Sequence, residues 1–156
     1  MQPVLFPTAK TAAIACTRSR MVSRAPFSTS SRTLKAPNQV YAPVRNLDQF
    51  HTYQLLSSSS RTPLLTLWTT SHCPTCRLVA PLVQGLVESG VGEAEGGVGF
   101  CTVEYDAPDV MSAGLGLTYM INAVPTLLSF DAQEAQTGTK VTDGRQLSDR
   151  RFLEDW

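Results

Sequence analysis

The chain reads as an α/β domain, a mixed central sheet with helices on both faces. Three observations predict this. Strand-like and helix-like stretches alternate early in the domain, and two strand candidates follow one another near its end. Residues 62–69 form a near-continuous apolar run, as in a central strand covered on both sides. The element order is therefore β-α-β-α-β-α-β-β-α, with no internal repeat.

Taken in order, residues 1–36 read as a disordered leader and 37–156 as one domain. Residues 39–44 are a short strand, placed at an edge by Pro43. Asn46 is the expected cap of the first helix, with Gln49 three residues on as in a capping box. That helix should end near Leu56, before the serine run 57–60. The central strand at 62–69 leads into a helix whose apolar face is Leu78, Val79, Leu82, Val83, Leu86 and Val87. Pro81 lies inside it, where a kink is expected. Residues 89–99 are a glycine-rich loop, in which Glu93 and Glu95 would repel phosphate. Residues 98–105 and 126–130 are strands, and 109–117 is a short helix between them. Residues 137–141 should pair beside 126–130. Ser148 is the expected cap of a last helix, with Leu147 and Phe152 as its hydrophobic staple.

The chemistry concentrates in His72-Cys73-Pro74-Thr75-Cys76-Arg77, a C-x-x-C at a strand-to-helix turn. Helical side chains three apart hold their Cβ atoms about 5–6 Å apart. A disulfide needs about 3.5–4.5 Å. The pair closes readily only if Cys73 sits at the N-cap with non-helical dihedrals. There it also meets the positive end of the helix dipole and unpaired N–H groups, which stabilise a thiolate. Arg77 adds positive charge. Cys73 is then the attacking cysteine, and Cys76, one turn in and more buried, the resolving one. His72 is either a base beside the thiol or an exposed surface histidine. Cys101 reads as a small core residue, Trp68 as core, and Asp106 and Asp109 as turn and cap residues.

The net charge of zero hides an asymmetry. Residues 1–46 carry Lys10, Arg18, Arg20, Arg24, Arg32, Lys35 and Arg45 and no acid, net +7. The rest holds the other six basic residues and all 13 acidic ones, net −7. An Arg-rich, Ser-rich, acid-free start has the composition of an organelle transit peptide. Residues 24–32 resemble the end of fungal mitochondrial presequences, with cleavage expected between about Phe27 and Ala36. Cys16 would leave with that segment. The alternative is a basic tail that stays on the mature protein. No signal-peptide core or apolar run of membrane length is present. Three cysteines in a domain of ordinary core size do not make a disulfide-dense secreted scaffold.

Four features together resemble the thioredoxin family, from about Val40 to Trp156. They are the C-x-x-C, Pro81 five residues after its second cysteine, the stretch Tyr119-Met120-Ile121-Asn122-Ala123-Val124-Pro125-Thr126, and Gly144 before the last helix. The resemblance implies a thioredoxin-like fold and a cis Pro125 against Cys73 and Cys76. It implies that Val124, Pro125 and Gly144 line a substrate groove, with the backbone of Val124 pairing to an extended substrate by strand addition. It further implies a protein disulfide oxidoreductase acting in cell redox homeostasis, with no cofactor beyond the redox-active disulfide. Protein disulfides are the substrates and a reductase, such as thioredoxin reductase, the electron source. A monomer in the mitochondrial matrix is expected, with no metal, nucleic-acid or membrane partner.

The departures matter as much. The family's tryptophan before the first cysteine is His72, and Thr69 stands at a second tryptophan position. The family's buried aspartate aligns with Leu67 and its lysine partner with Thr102. Pro74 and Thr75 resemble the dipeptides of glutaredoxins and periplasmic oxidases, and with His72 and Arg77 they are expected to modulate the site. The glutaredoxin tyrosine and Gly-Gly contact are missing. The alternatives are a non-catalytic interaction module, or a metal or iron–sulfur C-x-x-C protein. Zinc needs four ligands, and only Cys101, His72 and His51 are left to supply the other two.

Overall fold

The computed structural model describes residues 36–156. The leader, its cleavage site and Cys16 lie outside the described residues, apart from Ala36. The elements are β1 (Gln39–Val40), α1 (Leu47–Ser60), β2 (Leu64–Thr69), α2 (Pro74–Glu88), β3 (Gly99–Glu104), α3 (Pro108–Ser112), α4 (Leu115–Thr118), β4 (Thr126–Asp131), β5 (Glu134–Ala135), α5 (Gly144–Leu147) and α6 (Arg150–Asp155). The sheet order is β1-β3-β2-β4-β5. β1 and β2 run parallel to β3, and β4 runs antiparallel to both β2 and β5. This is the mixed sheet the alternation predicts, with β1 at an edge.

Period-two alternation sorts the strands' side chains onto two faces. Leu64 and Trp68 of β2, Cys101 and Val103 of β3, and Leu128 and Phe130 of β4 face α1, α3 and α4. Leu67, Phe100 and Leu127 face α2, where Val79, Val83 and Val87 cover them with Val141 and Leu147. Phe50 of α1 anchors the first layer. Its ring lies 6.0 Å from Trp68, 5.7 Å from Tyr119 and 5.5 Å from Phe130, the last edge-on. The Trp68 indole N–H donates to Thr66 Oγ1 (3.1 Å), and that hydroxyl donates to the Leu128 carbonyl (2.8 Å). A buried polar pair is thereby satisfied inside the sheet.

The structure differs from the sequence reading at several boundaries. β1 stops at Val40, and the chain rejoins β3 at Val44, which bridges to Val103 beyond Pro43. Asn46 caps α1 by accepting from Gln49 N (2.9 Å). Gln49 reaches back to the N–H of Arg45, not of Asn46 (3.0 Å). α1 continues through the serine run, where the Ser59 and Ser60 hydroxyls donate back to the Leu56 and Ser57 carbonyls (2.9 and 3.1 Å). Arg61, left-handed at φ 55°, ends it. The single helix expected at 109–117 is two, broken at Gly114 with φ 66°.

The strand expected at 137–141 is Glu134–Ala135 instead, after a tight turn with Ala132 and Gln133 at positive φ. Residues 137–139 form a 3-10 turn, and Val141 alone bridges to Leu127. The last helix is also divided. Asp143 caps α5 and Asp149, not Ser148, caps α6. The Ser148 hydroxyl serves the end of α5 by donating to the Gly144 carbonyl (2.7 Å). Leu147 and Phe152 do share the same core layer.

One tether has no sequence signal. The Asn38 side chain donates to the Val87 and Val91 carbonyls (2.8 and 2.7 Å) and accepts from Val98 N (2.9 Å). It fastens the start of the domain to the end of α2 and the entry to β3.

Phe50→Ala is expected to cost about 3–5 kcal/mol in urea unfolding, the range for emptying a large buried aromatic site. Leu117→Ala, on a side chain 85% exposed, should stay within about 0.5 kcal/mol of wild type. Equal midpoints for the two variants would show that Phe50 does not anchor the layer.

Candidate active site

The turn after β2 delivers the cysteines. Cys73 N–H donates to the Thr70 carbonyl (3.3 Å), closing the turn. Cys73 is then the N-cap of α2, with φ −83° and ψ 111°. Its sulfur accepts from Cys76 N at 3.1 Å. Pro74 follows at the first helical position, where no N–H is needed. Cys73 and Cys76 form a disulfide with Cα atoms 5.3 Å apart. Their exposures differ: Cys73 is partly accessible and Cys76 only 2% exposed.

Other segments converge on this end of the sheet. Thr126 pairs with Trp68, which sets Pro125 beside the end of β2 where the cysteine turn begins. The Val124–Pro125 bond is cis, Pro125 is buried, and the Thr126 hydroxyl donates to the Ala123 carbonyl (2.7 Å). Gly144, at the start of α5, lies against the inter-cysteine dipeptide. A Cβ there would stand 3.1 Å from Thr75 Cγ2, a tight contact that Thr75 would have to yield to by a few tenths of an ångström. Thr75 and Gly144 are therefore brought together.

The flanking charges have specific tasks. Arg77 is exposed, and its Nη2 donates to the Ser71 carbonyl (2.9 Å), bracing the turn from the helix side. His72 is highly exposed, its Nδ1 2.7 Å from Ser71 Oγ. Ser71 in turn donates to Asp106 twice, through its N–H (2.9 Å) and its hydroxyl. Those two bonds, the hydroxyl's first, hold the Asp106 carboxyl below its ordinary range. Sequence reasoning misses Ser71 and takes Asp106 for a turn residue, since 35 positions separate them. Leu67 is fully buried between Thr102 and Leu127. Among the described residues the buried polar side chains are Gln54, Ser57, Thr66 and Thr126, none of them a base at neutral pH.

Cys101 takes no part. It packs with the α1 layer, on the opposite face of the sheet from α2. Burial pushes its thiol up from 9.0 to about 12. Among the described residues no group of three or more His, Cys, Asp or Glu could hold a metal ion, and no helix is long and apolar enough to cross a membrane. The arrangement can carry out two-electron thiol–disulfide exchange through one accessible and one recessed sulfur.

The shift at Cys101 sets a pH test. Below about pH 9 both folded and unfolded states keep this proton. Between 9.0 and about 12 only the unfolded state releases it, so stability falls as pH climbs through that window. Cys101→Ala is expected to flatten that part of the decline in urea unfolding. At pH 8 only roughly one Cys101 thiol in ten thousand would be ionised. Iodoacetamide should therefore label it only after denaturation, and prompt labelling in the folded chain would contradict its burial.

No family model and no curated protein matches the chain. Solved structures do. A mutant thioredoxin from Halobacterium salinarum superposes with a TM-score of 0.56 at 20% identity, covering 77% of this chain and 88% of that one. Thioredoxin O1 from Arabidopsis thaliana in its oxidised state gives 0.56 at 21% identity, over 76% and 94%. A poplar wild-type thioredoxin h gives 0.59 at 14% identity, over 76% and 92%. At such identities the likeness is one of architecture, and with its five-stranded mixed sheet, flanking helices and C-x-x-C disulfide the chain has the thioredoxin fold.

Proposed function

We propose that this chain is a protein disulfide oxidoreductase that reduces protein disulfides in the mitochondrial matrix. The observation that carries this is the disulfide between an accessible N-cap cysteine and a buried partner one turn inside the same helix. Once the pair is reduced, the Cys73 thiolate attacks a substrate disulfide. One substrate sulfur joins Cys73 in a mixed disulfide, and the other leaves as a thiolate and takes up a proton. The Cys76 thiolate then attacks Cys73 Sγ, and the second substrate sulfur leaves and is protonated. Two electrons have passed to the substrate, and the Cys73–Cys76 bond has re-formed. A reductase of the thioredoxin reductase class returns the electrons.

Val124, Pro125 and Gly144 would border the extended substrate, Val124 through its backbone. Leu67, which the resemblance aligns with the family's buried aspartate, supplies no proton acceptor, so release of the mixed disulfide is the slower half. The same leucine favours the second reading, a binding module that keeps its cysteines without turnover.

Reduction of insulin disulfides by the full chain tests the first reading. Cys73→Ser should reduce the rate to background and form no adduct. Cys76→Ser should accumulate a covalent substrate adduct through Cys73. If Cys76→Ser traps nothing and the wild type shows no turnover, the binding-module reading replaces this one.

The matrix location rests on the acid-free basic leader. Mass spectrometry of the native protein is expected to find a start between about Phe27 and Ala36. An intact Met1 end, or a cytosolic pool alone, would overturn import.

A further inference from the structure

We propose that Asp106, acting through Ser71, is a positioning residue that sets the redox equilibrium of the Cys73–Cys76 pair by holding the turn in the form the disulfide needs. The inference deepens the oxidoreductase reading above and rests on it. A closed set of contacts carries it. The Cys73 N–H donates to the Thr70 carbonyl (3.3 Å), so Ser71 and His72 are the two central residues of the turn. Asp106, just past the end of β3, holds Ser71 through its N–H (2.9 Å) and its hydroxyl. The Ser71 carbonyl accepts from Arg77 Nη2 (2.9 Å), and the Arg77 N–H donates to the Cys73 carbonyl (3.4 Å). Cys73 therefore lies inside a ring of bonds that runs from Ser71 to Arg77 and back. Asp106 anchors that ring to the rest of the domain.

The direction of the effect follows from which sulfur can move. Cys76 is 2% exposed and lies inside α2, whereas Cys73 is the cap, in extended dihedrals on the turn. Reduction removes the covalent restraint on Cys73, and the bonds to Ser71 are then what limits the turn. They narrow the conformations open to the dithiol, so Cys73 is presented to Cys76 more often. In the oxidised chain the disulfide already supplies that restraint, and the same bonds add less. Holding the turn therefore favours the disulfide over the dithiol.

Asp106 is suited to this task because it stays ionised. The two bonds from Ser71 hold its carboxyl below the ordinary range, and bonds to an ionised acceptor are the stronger kind. The other charges around the turn are placed differently. Arg45 pairs with Glu104 at 2.9 Å, and both line the same depression as Ser71 and Asp106. His72 is 96% exposed, with Nδ1 4.0 Å from Asp106. Asp109 lines the depression too, but among the described residues no hydrogen bond joins it to the turn.

The equilibrium of the full chain with glutathione decides it, and no protein substrate is needed. Two glutathione thiols give up two electrons and two protons, the Cys73–Cys76 bond opens to two thiols, and glutathione disulfide forms. Asp106→Ala should raise the constant for this reduction roughly three- to tenfold, about 15–30 mV at the ~30 mV per tenfold of a two-electron couple. Ser71→Ala keeps the Asp106 charge and loses only the hydroxyl's bond, so it should move the constant the same way by less. Ser71→Thr, which keeps the hydroxyl, should match the wild type. The double variant should move no further than Asp106→Ala alone. Asp109→Asn removes a charge from the same depression without touching the turn and should leave the constant where it was. A constant unchanged in Asp106→Ala or in Ser71→Ala, or an equal shift in Asp109→Asn, overturns the proposal. Absence of insulin turnover with these shifts present would instead remove the reductase reading and leave the brace standing.

Discussion

Two sulfurs three residues apart bond readily only if the first lies outside the helix that holds the second. Everything at this site follows from that constraint. β2 has to end at Thr69, the chain has to turn within a few residues, and Cys73 has to take extended dihedrals while its sulfur acts as the capping group. Pro74 suits the next position because its fixed φ is helical and its missing N–H is not needed. The same placement separates the two sulfurs by environment, one partly accessible and one buried. The difference in exposure between the two cysteines is therefore built from backbone geometry before any neighbouring charge is counted.

The turn that meets this constraint is short and exposed, and it is secured from outside itself. Asp106, past the end of the neighbouring strand, takes both donors of Ser71, and Arg77 takes its carbonyl. All the hydrogen-bonding groups of one residue are thus engaged, which stiffens the approach to Cys73 from two directions. Beneath it the sheet divides labour. The α1 face holds the aromatic cluster and the buried Cys101, while the α2 face carries the helix that begins at the cysteine pair.

Much of this is legible in the chain. Helices and central strands announce themselves by periodicity, and Cys73-Pro74-Thr75-Cys76 at a strand–helix junction names its chemistry. What escapes reading is set by contacts between distant residues or by weak local signals. Ala132 and Gln133 occupy a positive-φ turn without the usual glycine or asparagine, so the partner strand of β4 is expected too late in the sequence. Ser57, Ser59 and Ser60 resemble a helix end but lie within the helix, with their hydroxyls bonded to the Thr62, Leu56 and Ser57 carbonyls. Ser148 is a good capping residue beside a better one, Asp149. Asp106 looks like any turn aspartate until the fold carries it to Ser71.

The Asn38 tether carries a further consequence for how the polypeptide can be shortened. Its amide holds Val87, Val91 and Val98 from a position two residues past the first described one. Gly97, at positive φ, admits the Ala36 carbonyl where any Cβ would collide. A truncation that stops short of this knot leaves its contacts intact. Beyond it, each further residue removed would strip partners from the end of α2 and the mouth of β3 at once. The fold thus places an inner limit on how far the amino-terminal side of the chain can be shortened.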